Sequence, residues 1–149
     1  MSEARYAHSI FCDDVRREHN GKLMFIGVYT GQMLVQSFPV TLPSFVINCS
    51  IVTPVNEPLH EVTIRVLRDE EEIQRQEFPA DYCVDHRQYI EQLPEEELDE
   101  KRLELRANIR FSPFRVDEPC LIKVRIDTEQ GEMRGGALEI EQVAGEQDS

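Results

Sequence analysis

"RLELRANIRF", residues 102–111, decides the fold class, because Leu103, Leu105, Ala107, Ile109 and Phe111 alternate with Glu104, Arg106, Asn108 and Arg110. Successive side chains of a β-strand point to opposite faces, so this alternation describes an antiparallel strand with one buried and one wetted face. The pattern recurs in "CLIKVRID", which turns Cys120, Ile122, Val124 and Ile126 inward, and in "HEVTIRVLR", which does the same with Val62, Ile64 and Val66. "RYAHSIFC", "SFVINCSIV", "EEIQRQEF", "GALEIEQV" and the long run "KLMFIGVYTGQMLV" are less regular, and they bring the number to about eight strands separated by Pro, Gly, Asn and Asp. The expectation is an all-β, mainly antiparallel fold. It takes the form of a single β-sandwich of seven to nine strands, immunoglobulin-like or C2-like in architecture, over residues 1–143, with a disordered tail at 144–149.

Two segments depart from this pattern. In residues 80–102, Pro94 followed by Glu95, Glu96 and Glu97 fits the first turn of a helix, where proline is tolerated and carboxylates meet the positive end of the helix dipole. One or two short helices are expected there. Between Lys22 and Val35, Leu23, Phe25 and Tyr29 share one face while Met24, Ile26 and Val28 share the other. A strand apolar on both faces is either central and covered twice, or covered by another chain, which leaves self-association open.

With 29 acidic and 16 basic residues the chain carries a formal charge of -13, the wrong sign for a phosphate backbone or an anionic lipid surface. Neither nucleic acid nor membrane is expected as a partner. The N-terminus "MSEARYAHSI" lacks the charged, apolar and small-residue regions of a secretory signal, and no apolar run approaches the roughly 20 residues that span a bilayer. Cys12, Cys49, Cys83 and Cys120 lie about 35 residues apart without a CxxC pair, and three of them sit inside apolar runs. They read as reduced core residues, so the expected location is cytoplasmic.

Reactive constellations are scarce. Asp13, Asp14 and Glu18 are candidate ligands for a divalent cation or for a metal-dependent hydrolase, but a calcium site needs six to eight oxygens and adjacent residues of a strand point to opposite faces. Asn20-Gly21 is a two-residue hairpin signal of type I′. Its presence favours a solvated polar hairpin over a metal site. His8 and Cys12 share a strand face at roughly 13 Å, too far for direct proton transfer. Cys83 and His86, with Asp81 or Asp85 nearby, form the best local triad-like grouping, yet an ordinary exposed helix produces the same letters. No GxSxG, GxxxxGK, GxGxxG or HExxH pattern occurs, and no cofactor is implied.

The basic residues are more informative. Arg65, Arg106, Arg110, Lys123 and Arg125 all point outward from strands, so neighbouring strands would gather them into a cationic stripe beside Glu61, Glu104 and Asp127. Such a stripe serves cross-strand ion pairing on a solvated face, or it meets an acidic partner such as the "PEEELDE" segment of another copy. The expected function is a non-catalytic interaction or assembly module that self-associates or binds a protein. A metal site on Asp13, Asp14 and Glu18 and a small-ligand-binding sandwich are the alternatives.

"DDVRREHNGKLMFIGVYTG" resembles a family of small uncharacterised bacterial proteins that share an Asp-Asp, a following Arg and Glu, a Gly-Lys step and a Gly-x-Tyr. These are Asp13, Asp14, Arg16, Glu18, Gly21, Lys22, Gly27 and Tyr29 here. The resemblance implies a compact bacterial domain of unknown function and carries over no substrate, cofactor or catalytic residue.

Overall fold

The computed structural model describes residues 5–78 and 102–144. Among them are eleven strands and no helix, and the helices expected in 80–102 lie outside the described residues. A four-stranded sheet runs β2 (Leu23–Tyr29), β1 (Tyr6–Arg17), β5 (Phe45–Pro54), β8 (Arg102–Phe111). A five-stranded sheet runs β3 (Gln32–Val35), β11 (Gly131–Gln142), β10 (Cys120–Thr128), β6 (Val62–Arg68), β7 (Glu71–Phe78). The short strands β4 (Val40–Leu42) and β9 (Phe114–Val116) pair as a third sheet. Every pairing is antiparallel except that of β3 with β11.

The alternating segments bury the faces their sequences assign. Leu105, Ala107 and Ile109 of β8 meet Ile64 and Val66 of β6, Ile122, Val124 and Ile126 of β10 and Leu138 and Ile140 of β11 in one core. Phe45, fully buried, is its aromatic centre, with ring centroids 4.7 Å from Phe114, 6.2 Å from Tyr29 and 6.3 Å from Phe11. Phe114 and Val116 thus seat the small third sheet against the same core.

The strand number exceeds the seven to nine expected, for two reasons. The run 22–35 changes sheets at Gly31, whose φ of +97° turns the chain, so one expected strand becomes β2 in the first sheet and β3 in the second. Three-residue strands such as β4 and β9 are too short to show a period. No helix among the described residues is long and apolar enough to cross a membrane.

Candidate functional site at the first hairpin

Strands β1 and β2 are joined through a three-residue loop rather than the expected two-residue turn. The Glu18 N–H donates to the Lys22 carbonyl at 2.8 Å and the Gly21 N–H to the Glu18 carbonyl at 3.0 Å. Gly21 takes the left-handed conformation at φ +86°, while Asn20 stays at negative φ and its side chain accepts the Lys22 N–H at 3.1 Å. This is a type I turn closed by a glycine bulge, the next most common hairpin after type I′. Its register sets Cys12 against Val28 and Asp14 against Ile26, which brings Asp13 level with Gly27.

That register assembles a cluster. The Tyr29 hydroxyl donates a hydrogen bond to Asp13 Oδ1, and a Cβ on Gly27 would stand 2.2 Å from Asp13 Oδ2. Gly27 itself lies at φ +68°, so the Asp13 side chain occupies space that only glycine leaves open. Burial pushes the Tyr29 hydroxyl above its ordinary value and the bond to Asp13 pushes it further, which keeps it a protonated donor. Asp14 serves the other direction: it accepts from Arg110 Nη1 at 2.7 Å and from Arg16 Nε at 3.3 Å. The Arg110 bond, foremost, holds the Asp14 carboxyl below the usual carboxylate range. Arg110 also donates to the Val15 carbonyl at 3.2 Å and to Ser44 Oγ at 3.1 Å, tying β8 to β1 across β5.

Asp13, Asp14, Tyr29, Leu42, Pro43 and Ser44 line a cleft of about 440 Å³ beside this cluster. Glu18 sits at the hairpin turn, five residues of chain from Asp13, so the three acidic candidates do not converge. Among the described residues no group of three or more His, Cys, Asp or Glu side chains is arranged to hold a metal ion.

On β2 the two apolar faces have different fates. Leu23 and Phe25 pack against Cys12, Val15 and Val46 in a small second cluster. Met24, Ile26 and Val28 remain 45%, 38% and 49% exposed. β2 is an edge strand of its sheet, and neither charge nor proline interrupts it. An open cleft of about 560 Å³, lined by Arg17, Glu18, His19, Asn20 and Met24, continues the row toward the turn.

The five outward cations divide between two sheets. Arg65, Lys123 and Arg125 lie together on β6 and β10, whereas Arg106 and Arg110 lie on β8. Arg65 holds Asp127 at 2.8 Å and also meets Glu132, Lys123 reaches Glu70 at 3.1 Å, and Arg106 reaches Glu104 at 2.7 Å. Arg106 also donates to Asn48 Oδ1 at 2.8 Å, while Asn48 donates to Asn108 at 2.6 Å and the Ser50 hydroxyl donates to Glu104. The Ser50 bond is the leading cause that holds Glu104 below its ordinary value. Sequence reasoning missed this network. Its signal was the pair of polar residues, Asn48 and Ser50, inside the otherwise apolar β5. Cys12, Cys49 and Cys120 are free and buried, and burial pushes each thiol up, away from reactivity. Cys83 and His86 lie outside the described residues.

The model of a family of unknown function, DUF6941, matches residues 7–140, and the chain belongs to that family. No curated protein matches it.

Proposed function

We propose that this chain is a non-catalytic interaction module of the bacterial cytoplasm and that it docks a protein partner, or a second copy, along β2. The observation that carries the reading is the row Met24, Ile26 and Val28, left exposed on an edge strand. An uncharged, apolar sheet edge offers its backbone to an added strand, and natural proteins commonly protect such edges with charge, proline or a covering segment. The charged edge strand β7, with Glu71, Glu72, Arg75 and Glu77, carries that protection within the same molecule. We further infer that the four- and five-stranded sheets form a single sandwich of immunoglobulin-like or C2-like architecture, a reading supported by their shared core. The buried free thiols support a reducing compartment.

A photo-crosslinking side chain placed at Val28 tests the docking edge in living cells, with the same group at Gln74 as a control. A discrete adduct from position 28, absent from position 74, is the expected result. Equal labelling from both positions, or none from 28, would end this reading.

A second reading, small-ligand binding, is favoured by the cleft beside Asp13 and Tyr29. A native mass spectrum of the gently purified chain would then show an added mass that disappears in Asp13→Asn. A clean protein mass argues against it.

A further inference from the structure

The outer face of the five-stranded sheet carries a feature that the β2 edge does not explain. In the strand register Arg75 lies opposite Arg65, Arg65 opposite Arg125, and Arg125 opposite Arg134, so four arginines stand in one row across β7, β6, β10 and β11. Neighbouring strands are about 4.8 Å apart, and like charges directly opposite one another destabilise a sheet. Folding alone favours alternating signs here, and acidic residues are abundant in a chain of net charge -13.

The two ends of the row are treated differently. Arg75 holds Glu72 through Nε at 3.0 Å and Nη2 at 3.2 Å, and Arg65 holds Asp127 through Nε at 2.8 Å and Nη2 at 3.2 Å. Both are fork-to-carboxylate pairs, the strongest geometry available to arginine. Arg125 and Arg134 meet no carboxylate among the described residues, and the Arg125 guanidinium is tied only to the Val124 carbonyl at 3.1 Å. Glu132, the nearest acid along β11, is committed to Arg65.

From this placement we infer that Arg125 and Arg134 form a docking point for a carboxylate-bearing segment of a partner protein. Guanidinium forks carried on register-paired positions offer paired donors of the kind that match the two oxygens of a Glu or Asp side chain. Charge complementarity selects the occupant. The row formed by Glu77, Asp127 and Glu132 runs alongside, and with the net charge it repels a continuous polyanion such as a nucleic acid. A single carboxylate or a short acidic run placed over the Arg125 end meets two cations that have no carboxylate partner among the described residues, and it stays clear of most of that field. This surface lies on the other large sheet from β2, so it is independent of the docking edge proposed above.

The test uses the full chain, ¹⁵N-labelled, with the arginine Nε–H and the backbone amide signals followed during titration with acetylated hexaglutamate, hexalysine and, separately, inorganic phosphate. Saturable shifts at Arg125 and Arg134 with hexaglutamate, reduced at least tenfold in affinity by Arg125→Gln/Arg134→Gln and absent with hexalysine, are expected. The same double substitution is expected to raise the urea midpoint, since it removes a like-charge pair. Three results would overturn the inference: phosphate matching hexaglutamate in affinity, shifts centred on Arg17 and Lys22 instead, or a lower urea midpoint that marks the pair as structural. None of them bears on the crosslink from Val28.

Discussion

At the scale of single residues, Gly27 and Asp13 are one unit. Gly27→Ala places a Cβ in the left-handed region at φ +68° and 2.2 Å from Asp13 Oδ2. The backbone strain alone costs about 2 kcal/mol, and the displaced carboxylate adds to it. Asp13→Ala in the Gly27→Ala background relieves the clash but not the strain. The double variant is therefore expected to unfold in urea at a higher denaturant concentration than the sum of the two single losses allows, and strict additivity would count against the contact. Tyr29→Phe removes the hydroxyl donor to Asp13, with an expected loss of about 1 kcal/mol. This cluster was hidden in the sequence by one residue of register. A two-residue Asn20-Gly21 turn pairs Asp13 with Val28, whereas the three-residue loop pairs Cys12 with Val28 and aims Asp13 at Gly27. A one-residue slip exchanges every facing partner along a hairpin.

At the scale of elements, legibility followed solvent. Strands β6, β8 and β10 were plain in the sequence because each has one wet face, and their inward residues are the buried ones except Phe111, which ends β8 half-buried against the core. β5 lies between β1 and β8 with all ten residues buried, so its sequence runs apolar with few interruptions and shows no clean period. The cationic stripe was illegible for another reason: outward direction can be read along a strand, but membership of a sheet depends on strand order, which separated Arg106 and Arg110 from the rest. β5 also supplies a prediction. Asn48 accepts from Arg106 and donates to Asn108 in its buried position. Asn48→Ala leaves both partners short of a bond and is expected to cost about 2 kcal/mol by chemical denaturation. On β2, by contrast, Ile26→Lys alters an exposed side chain and is expected to change stability by no more than about 0.5 kcal/mol. A large loss would show that the row is packed within the molecule and is not an open docking edge.

At the scale of the whole molecule, one buried cation joins distant parts of the chain. Arg5 donates through Nε to Thr53 Oγ1 at 2.9 Å, through Nη1 to Thr128 Oγ1 at 3.1 Å and through Nη2 to the Glu57 carbonyl at 2.9 Å, and it pairs with Glu129 at 2.6 Å. It thereby links the end of β5 in one sheet to the turn between β10 and β11 in the other. Its side chain is 2% exposed and that of Glu129 24%, so Glu129→Gln is expected to cost about 2 kcal/mol at neutral pH, less than the roughly 3–5 kcal/mol of a fully buried pair because Glu129 keeps contact with solvent. Burial pushes the Glu129 carboxyl up, but the His60 N–H, the Arg5 guanidinium and further backbone donors together bring it below its ordinary 4.5. A carboxylate with a folded value below its unfolded one binds fewer protons when folded. Its contribution is therefore present above about pH 4.5 and is lost as the pH falls through the folded value. Asp14, Glu72 and Glu104 shift in the same direction, which makes the protein sensitive to acid below that point. Urea midpoints at pH 7, 5, 4 and 3 are expected to fall for the unaltered chain and to fall less for Glu129→Gln, so that the two curves converge in acid. Parallel curves would mean that the Arg5 knot is held by its hydroxyl and carbonyl partners and that Glu129 carries none of the acid sensitivity.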